Sequence, residues 1–151
     1  MRVVWPCWED RNRGSSCRAA GVRRADAVLL ADTSVWAEHF LRRGHPLAAK
    51  LEQGAVMMHP FVIGELACGN LSDRTNTIAR LNALPAVMRA TDQEVMVFLE
   101  RHALMGSGLG IVDLHLLASA HLTGVPLWSV DRPLQAAALK TRVAWTEPLS
   151  R

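Results

Sequence analysis

Two short apolar runs in this chain each stop at an aspartate. Val28-Leu29-Leu30-Ala31 leads into Asp32, and Pro126-Leu127-Trp128-Ser129-Val130 leads into Asp131. Runs that are short and continuous, rather than alternating, fit strands covered on both faces. In an open α/β sheet, ligands bind just outside the carboxyl ends of the strands. A carboxylate placed directly after a strand therefore faces that crevice. Between the two runs lie Glu65, in Gly64-Glu65-Leu66-Ala67, and Asp113, in Gly110-Ile111-Val112-Asp113. The expectation is one acidic pocket assembled from distant sequence, suited to a hard divalent cation such as Mg²⁺.

A chain of 151 residues, half of them apolar, fits one domain with a real core. No apolar run approaches the roughly 18 residues of a membrane span. Cys7, Cys17 and Cys68 are odd in number and form no metal-ligand pattern. That argues against a disulfide scaffold and fits a reducing cytoplasm. The net charge of +3 resides in residues 1–27, where six arginines face three acids; the remainder is balanced. If the four acids sink into one pocket, the surface left around them is mildly positive. A negative pit in such a surface suits a polyanion approaching a bound cation. An ordinary mixed surface is the plainer reading.

Residues 1–27 show no steady period and read as disordered, or as a start assigned too early with Val28 the alternative initiator. Val3–Trp8 is too short for a secretory signal and is broken by Pro6. A basic, tryptophan-bearing arm that binds nucleic acid is the functional alternative.

From residue 28 onward, strands and helices alternate, which predicts a mostly parallel sheet with helices on both faces. Strands are expected at 27–31, 55–59, 86–90, 127–130 and 143–146. Helices are expected at 33–43, 47–53, 61–68 with Pro60 at the first position, 72–84, 91–103, 111–123 and 133–140. Thr91 and Glu94 have the spacing of a capping box. Gly106–Gly110 follows no strand and reads as a hinge or lid rather than a phosphate cradle. Met57, Met58, Met88, Met96 and Met105 read as core filler. Residues 147–151 are a short tail.

Each acid has a plainer role available. Asp32 suits a helix N-cap, and Asp131 suits a turn before Arg132-Pro133. Asp113 in a first helical turn is favoured by the helix dipole. Glu65 lies among apolar neighbours. The joint reading rests on arrangement, because all four can point at one end of one sheet. Two carboxylates about 5 Å apart repel by roughly 3 kcal/mol at an effective dielectric near 20. Four together call for protons or for one or two Mg²⁺ or Mn²⁺ ions. Oxygen ligands without paired His or Cys argue against zinc. Such ions activate water and stabilise the leaving oxygen of a phosphodiester. No Ser-His-Asp spacing, Gly-x-Ser-x-Gly elbow or Gly-x-x-x-x-Gly-Lys loop offers a different chemistry. Ser34 and Ser129 flank the acids and can orient a bound water from behind them, or serve capping and packing. His115, two residues beyond Asp113, points away on a helix and reads as structural or partner-facing.

The set Asp-Thr-Ser-x-Trp at 32–36, Glu-Leu-Ala-x-Gly at 65–69, Val-Asp-x-His-Leu-Leu-Ala at 112–118 and Leu-Trp-Ser-x-Asp at 127–131 resembles the PIN-domain family. The closest likeness is to VapC-type toxin ribonucleases of bacterial toxin–antitoxin pairs. The resemblance spans 28–146 and implies an α/β Rossmann-like PIN domain with a mostly parallel central sheet. It also implies Mg²⁺-dependent RNA cleavage, with Mn²⁺ a possible substitute. The implied catalytic and metal-holding residues are Asp32, Glu65, Asp113 and Asp131. A homodimer neutralised by a cognate antitoxin is implied as well; its geometry is left open by the sequence, with the apolar helices around Leu81 and Leu99 able to form a face. Two features depart from the family: residues 1–27 have no counterpart, and Arg132-Pro133-Leu134 stands where many relatives place a further acid. Phospho-receiver and haloacid-dehalogenase-like readings want acid pairs that Thr33 and Ser34 interrupt. An inactive RNA- or partner-binding relative is the alternative function.

Overall fold

The structure is a computed structural model and describes residues 28–146; the readings made above for 1–27 and 147–151 lie outside it. Strand β1 (Leu29–Ala31) is entirely buried. It pairs in parallel with β2 (Val56–Met57) on one side and β3 (Leu127–Trp128) on the other, giving the order β2-β1-β3. Single parallel bridges, Met58 to Ala86 and Leu127 to Ala144, extend the sheet by one residue pair at each edge.

The helices are α1 (Thr33–Leu41), α2 (Leu47–Glu52), α3 (Pro60–Cys68), α4 (Arg74–Asn82), α5 (Asp92–Arg101), α6 (Ile111–Thr123) and α7 (Arg132–Lys140). Parallel strands joined through helices are wound right-handed. The path from β1 through β2 to Ala86 therefore lays α1 to α4 on one face. The path back to β3 and on to Ala144 lays α5 to α7 on the other. The packing agrees, with α1 against α2 and α3, α3 against α4, and α6 against both α5 and α7.

Local signals explain most boundaries. Thr91 and Glu94 form the reciprocal capping box at α5. Pro60 opens α3. Gly124 closes α6 in the left-handed region at φ 74°, a conformation that costs other residues energy. Helix α6 is deeply embedded: Leu114 to Ala120 are all buried, the polar His115 and Ser119 among them.

Every expected strand is shorter than its apolar run, β1 beginning at Leu29. Ser129 and Val130 leave the ladder of β3 because Val130 N–H donates to the Ser34 hydroxyl, while the Ser129 hydroxyl accepts Asp131 N–H. His59 leaves β2 to cap α3. The segments at 86–90 and 143–146 contribute one bridge each, at the sheet edges.

Burial bears on three further expectations. Met57 and Met58 are core residues, but Met88, Met96 and Met105 are about half or more exposed. Their segments are helix surface and loop, where the flexible thioether fills no gap. Leu81 is buried in the core, whereas Leu99 is half-buried and packs against the core. His115 is buried rather than partner-facing, with its Nε2 3.2 Å from Asp92.

Candidate active site

The crevice follows from the winding. From β1 the chain moves to one side of the sheet, and from β3 to the other, so their carboxyl ends flank the topological switch point. Asp32 ends β1 and Asp131 follows β3. Asp32 is the N-cap of α1, Asp131 the N-cap of α7, and Asp113 lies in the first turn of α6. Glu65 sits on the exposed side of α3. Three helix N-termini thus carry three of the acids, and their partial positive charge favours carboxylates there.

Asp32 is buried, at 6% exposure, and its carboxylate is held from several sides. Oδ1 accepts Thr33 N–H at 2.6 Å. Oδ2 accepts the Ser34 hydroxyl at 2.6 Å and the Ser129 hydroxyl at 2.9 Å, with Ser34 N–H more distant at 3.4 Å. The Thr33 hydroxyl in turn donates to Glu65 Oε2. The Ser129 hydroxyl accepts Asp131 N–H at 3.0 Å, and Asp131 Oδ2 accepts Leu134 N–H at 3.1 Å. Glu65, Asp32 and Asp131 are therefore joined through Thr33 and Ser129.

The two serines behave alike. Each spends its hydroxyl hydrogen on Asp32 and accepts one backbone N–H, Val130 for Ser34 and Asp131 for Ser129. Both are thereby committed to fixing Asp32 and the turn after β3.

Asp113 enters through its field. Its Oδ2 accepts Gly110 N–H at 2.8 Å, which favours the charged form. Burial nonetheless raises its pKa, and the charges of Asp32, Asp131 and Glu65 raise it further. The other three carboxylates thus lie within electrostatic reach of Asp113. Each of the four accepts a hydrogen from a neutral donor. Among the described residues, no three Asp, Glu, His or Cys side chains stand in metal-holding geometry. The chemistry of the set still fits a hard divalent cation: the donors are all oxygen, and Asp113 is raised by burial and by its three acidic neighbours.

Sequence reasoning quoted Thr33 without giving it a role and passed over Gln135, whose side-chain amide donates to Ser129 O at 2.7 Å. Thr33's partner lies 32 residues away, so no local pattern announces it. Gln135 follows Asp131 by one helical turn, a spacing that places it beside the crevice.

The family model for the PIN domain matches residues 29–140, a stretch containing all four acids. This chain belongs to the PIN-domain family. Two relatives, each named Ribonuclease VapC32, come from Mycobacterium tuberculosis strains CDC 1551 / Oshkosh and ATCC 25618 / H37Rv. Each is 39% identical over 127 residues, spanning 82% of this chain and 100% of the relative. The likeness therefore covers whole PIN proteins of the VapC type, and the parallel α/β fold described above is the fold of this PIN domain.

Proposed function

We propose that the chain is a divalent-cation-dependent endoribonuclease, the toxin member of a toxin–antitoxin pair. The observation that carries this reading is the geometry at the switch point, where three helix N-termini carry Asp32, Asp113 and Asp131, and Thr33 and Ser129 join Glu65, Asp32 and Asp131. Burial first, and then the charges of Asp32, Asp131 and Glu65, raise the Asp113 pKa in agreement with it. The two VapC32 relatives, ribonucleases by name, support RNA as the substrate.

Asp32, Glu65, Asp113 and Asp131 would hold Mg²⁺, with Mn²⁺ as a substitute. A cation bound there lowers the pKa of water and offsets charge on the phosphodiester. The chain's own residues preorganise the crevice. Ser34, Ser129 and Thr33 N–H fix Asp32 before any ligand arrives, so little is spent on ordering it. The Thr33 hydroxyl holds the otherwise exposed Glu65 toward β1. The N-termini of α1, α6 and α7 point partial positive charge at the crevice, where a phosphate would approach.

A cognate antitoxin, a homodimer and a cytoplasmic setting complete the proposal. No helix among the described residues is long and apolar enough to cross a membrane. The test is incubation of the purified chain with RNA, with Mg²⁺ or Mn²⁺ and with chelator. The expected result is cation-dependent cleavage; cleavage that persists in chelator overturns the cation requirement.

A further inference from the structure

His59 is completely buried and belongs to no part of the carboxylate crevice. Its Nδ1 accepts Phe61 N–H at 3.1 Å as the N-cap of α3. A neutral ring that accepts at Nδ1 carries its hydrogen on Nε2. That nitrogen lies 3.2 Å from the hydroxyl of Ser119 on α6, so it donates there. Ser119 is also completely buried, and its oxygen accepts Ala90 N–H at 3.0 Å. Three chain segments therefore meet at one His–Ser contact: the start of α3, the middle of α6 and the lead into α5. Burial lowers the His59 pKa to about 4, helped by His115 and Arg89, so the ring is neutral near pH 7 as this tautomer requires.

Helices α3 and α6 carry Glu65 and Asp113. Glu65 follows the cap of α3 by six residues, and Asp113 precedes Ser119 by six, under two turns in each case. The neighbouring contact between these helices is the edge-to-face packing of Phe61 on His115, with ring centroids 4.7 Å apart. Apolar contact is non-directional and tolerates sliding. A buried hydrogen bond is directional and costly to break. We propose that His59 and Ser119 form a positioning clamp that fixes the Glu65 helix against the Asp113 helix and so sets the spacing of the cation site. The clamp rests on reading those acids as a cation site.

The test uses the full chain. His59→Asn keeps an acceptor suited to the cap but is too short to reach Ser119. Ser119→Ala leaves the cap untouched. Both variants should fold, bind Mg²⁺ by calorimetry roughly 10-fold more weakly, and lose roughly 10-fold in kcat on RNA with little change in KM. Ser119→Ala also removes the acceptor of Ala90 N–H, so the double variant should bind the cation no more weakly than Ser119→Ala alone, which has already lost the His59 contact. A second readout is independent of activity: the distance distribution between spin labels on the exposed Cys68 of α3 and on Ile111→Cys of α6, with Cys7 and Cys17 replaced by serine. It should broaden in both variants. Folded variants with wild-type cation affinity, kcat and label distances overturn the clamp. A wild-type chain that neither binds Mg²⁺ nor cleaves RNA overturns the reading of the acids, and the label distances alone then decide whether the clamp exists.

Discussion

At the scale of residues, the crevice is a set of acids held by small hydroxyls. Ser129 sits between two of them, donating to Asp32 and accepting from Asp131 N–H. Ser129→Ala should leave the Asp131 N–H without its acceptor and the buried Asp32 one donor short. The expected loss is about 1–3 kcal/mol of stability and roughly 10–100-fold in cation-dependent activity, read by urea unfolding and by RNA cleavage. Asp113 should behave oppositely in stability. A carboxyl whose folded pKa is raised binds more protons folded than unfolded, so its contribution is lost as pH rises from its ordinary 3.8 through the raised value. Asp113→Asn removes that repulsion and keeps an acceptor for Gly110 N–H. Without divalent cations at pH 7, the variant should melt no lower than the parent while losing cleavage. A clearly lower melting temperature contradicts the account. Asp32, Asp131 and Asp113 were legible because each ends a strand or opens a helix, and Glu65 because it stands among apolar residues in a helix. Thr33 and Gln135 were not, since their roles depend on which element lies opposite.

At the scale of elements, capping chemistry carried most of the legible information. Helix α6 runs Ile111–Thr123 as the sequence pattern predicts, and the Thr91–Glu94 box opens α5. Thr91→Ala should cost about 1 kcal/mol, measured by thermal unfolding, because Glu94 N–H loses its acceptor. The edge strands were overread for a physical reason. An apolar stretch marks burial, whereas a strand also needs a ladder partner, and segments 86–90 and 143–146 each find one bridge. The His59 cap was missed because histidine is a less usual N-cap than Ser, Thr, Asp or Asn. Its lowered pKa gives α3 a pH dependence. A histidine kept neutral in the fold contributes stability in full above its ordinary 6.5, and loses it as pH falls toward about 4. Protonation there would remove the cap acceptor beside Arg89 and His115, the latter facing Asp92. The urea midpoint should fall between pH 6.5 and 4, less steeply in His59→Asn; equal slopes contradict this.

At the scale of the whole molecule, the winding decides where chemistry can occur. The reversal at β1 and β3 brings residues separated by about a hundred positions, Asp32 and Ser129, into hydrogen-bond contact. The alternation of strands and helices predicted such a crevice, but not the strand order β2-β1-β3 or the shortness of its ladders. A cation that binds only the folded crevice stabilises the chain by mass action, about 2.7 kcal/mol at a hundredfold excess over Kd. Thermal unfolding should therefore shift upward with Mg²⁺ or Mn²⁺ in the parent and much less in Asp113→Asn. An equal shift in both would place the cation elsewhere. The measurement that bears most directly on the central claim is cleavage of total cellular RNA by the chain, with Mg²⁺ or Mn²⁺ and with chelator, beside Asp113→Asn. The account predicts discrete fragments that need the cation and are absent with the variant. A folded, cation-bound chain that leaves this RNA intact, or a variant that cuts as well as the parent, would contradict it.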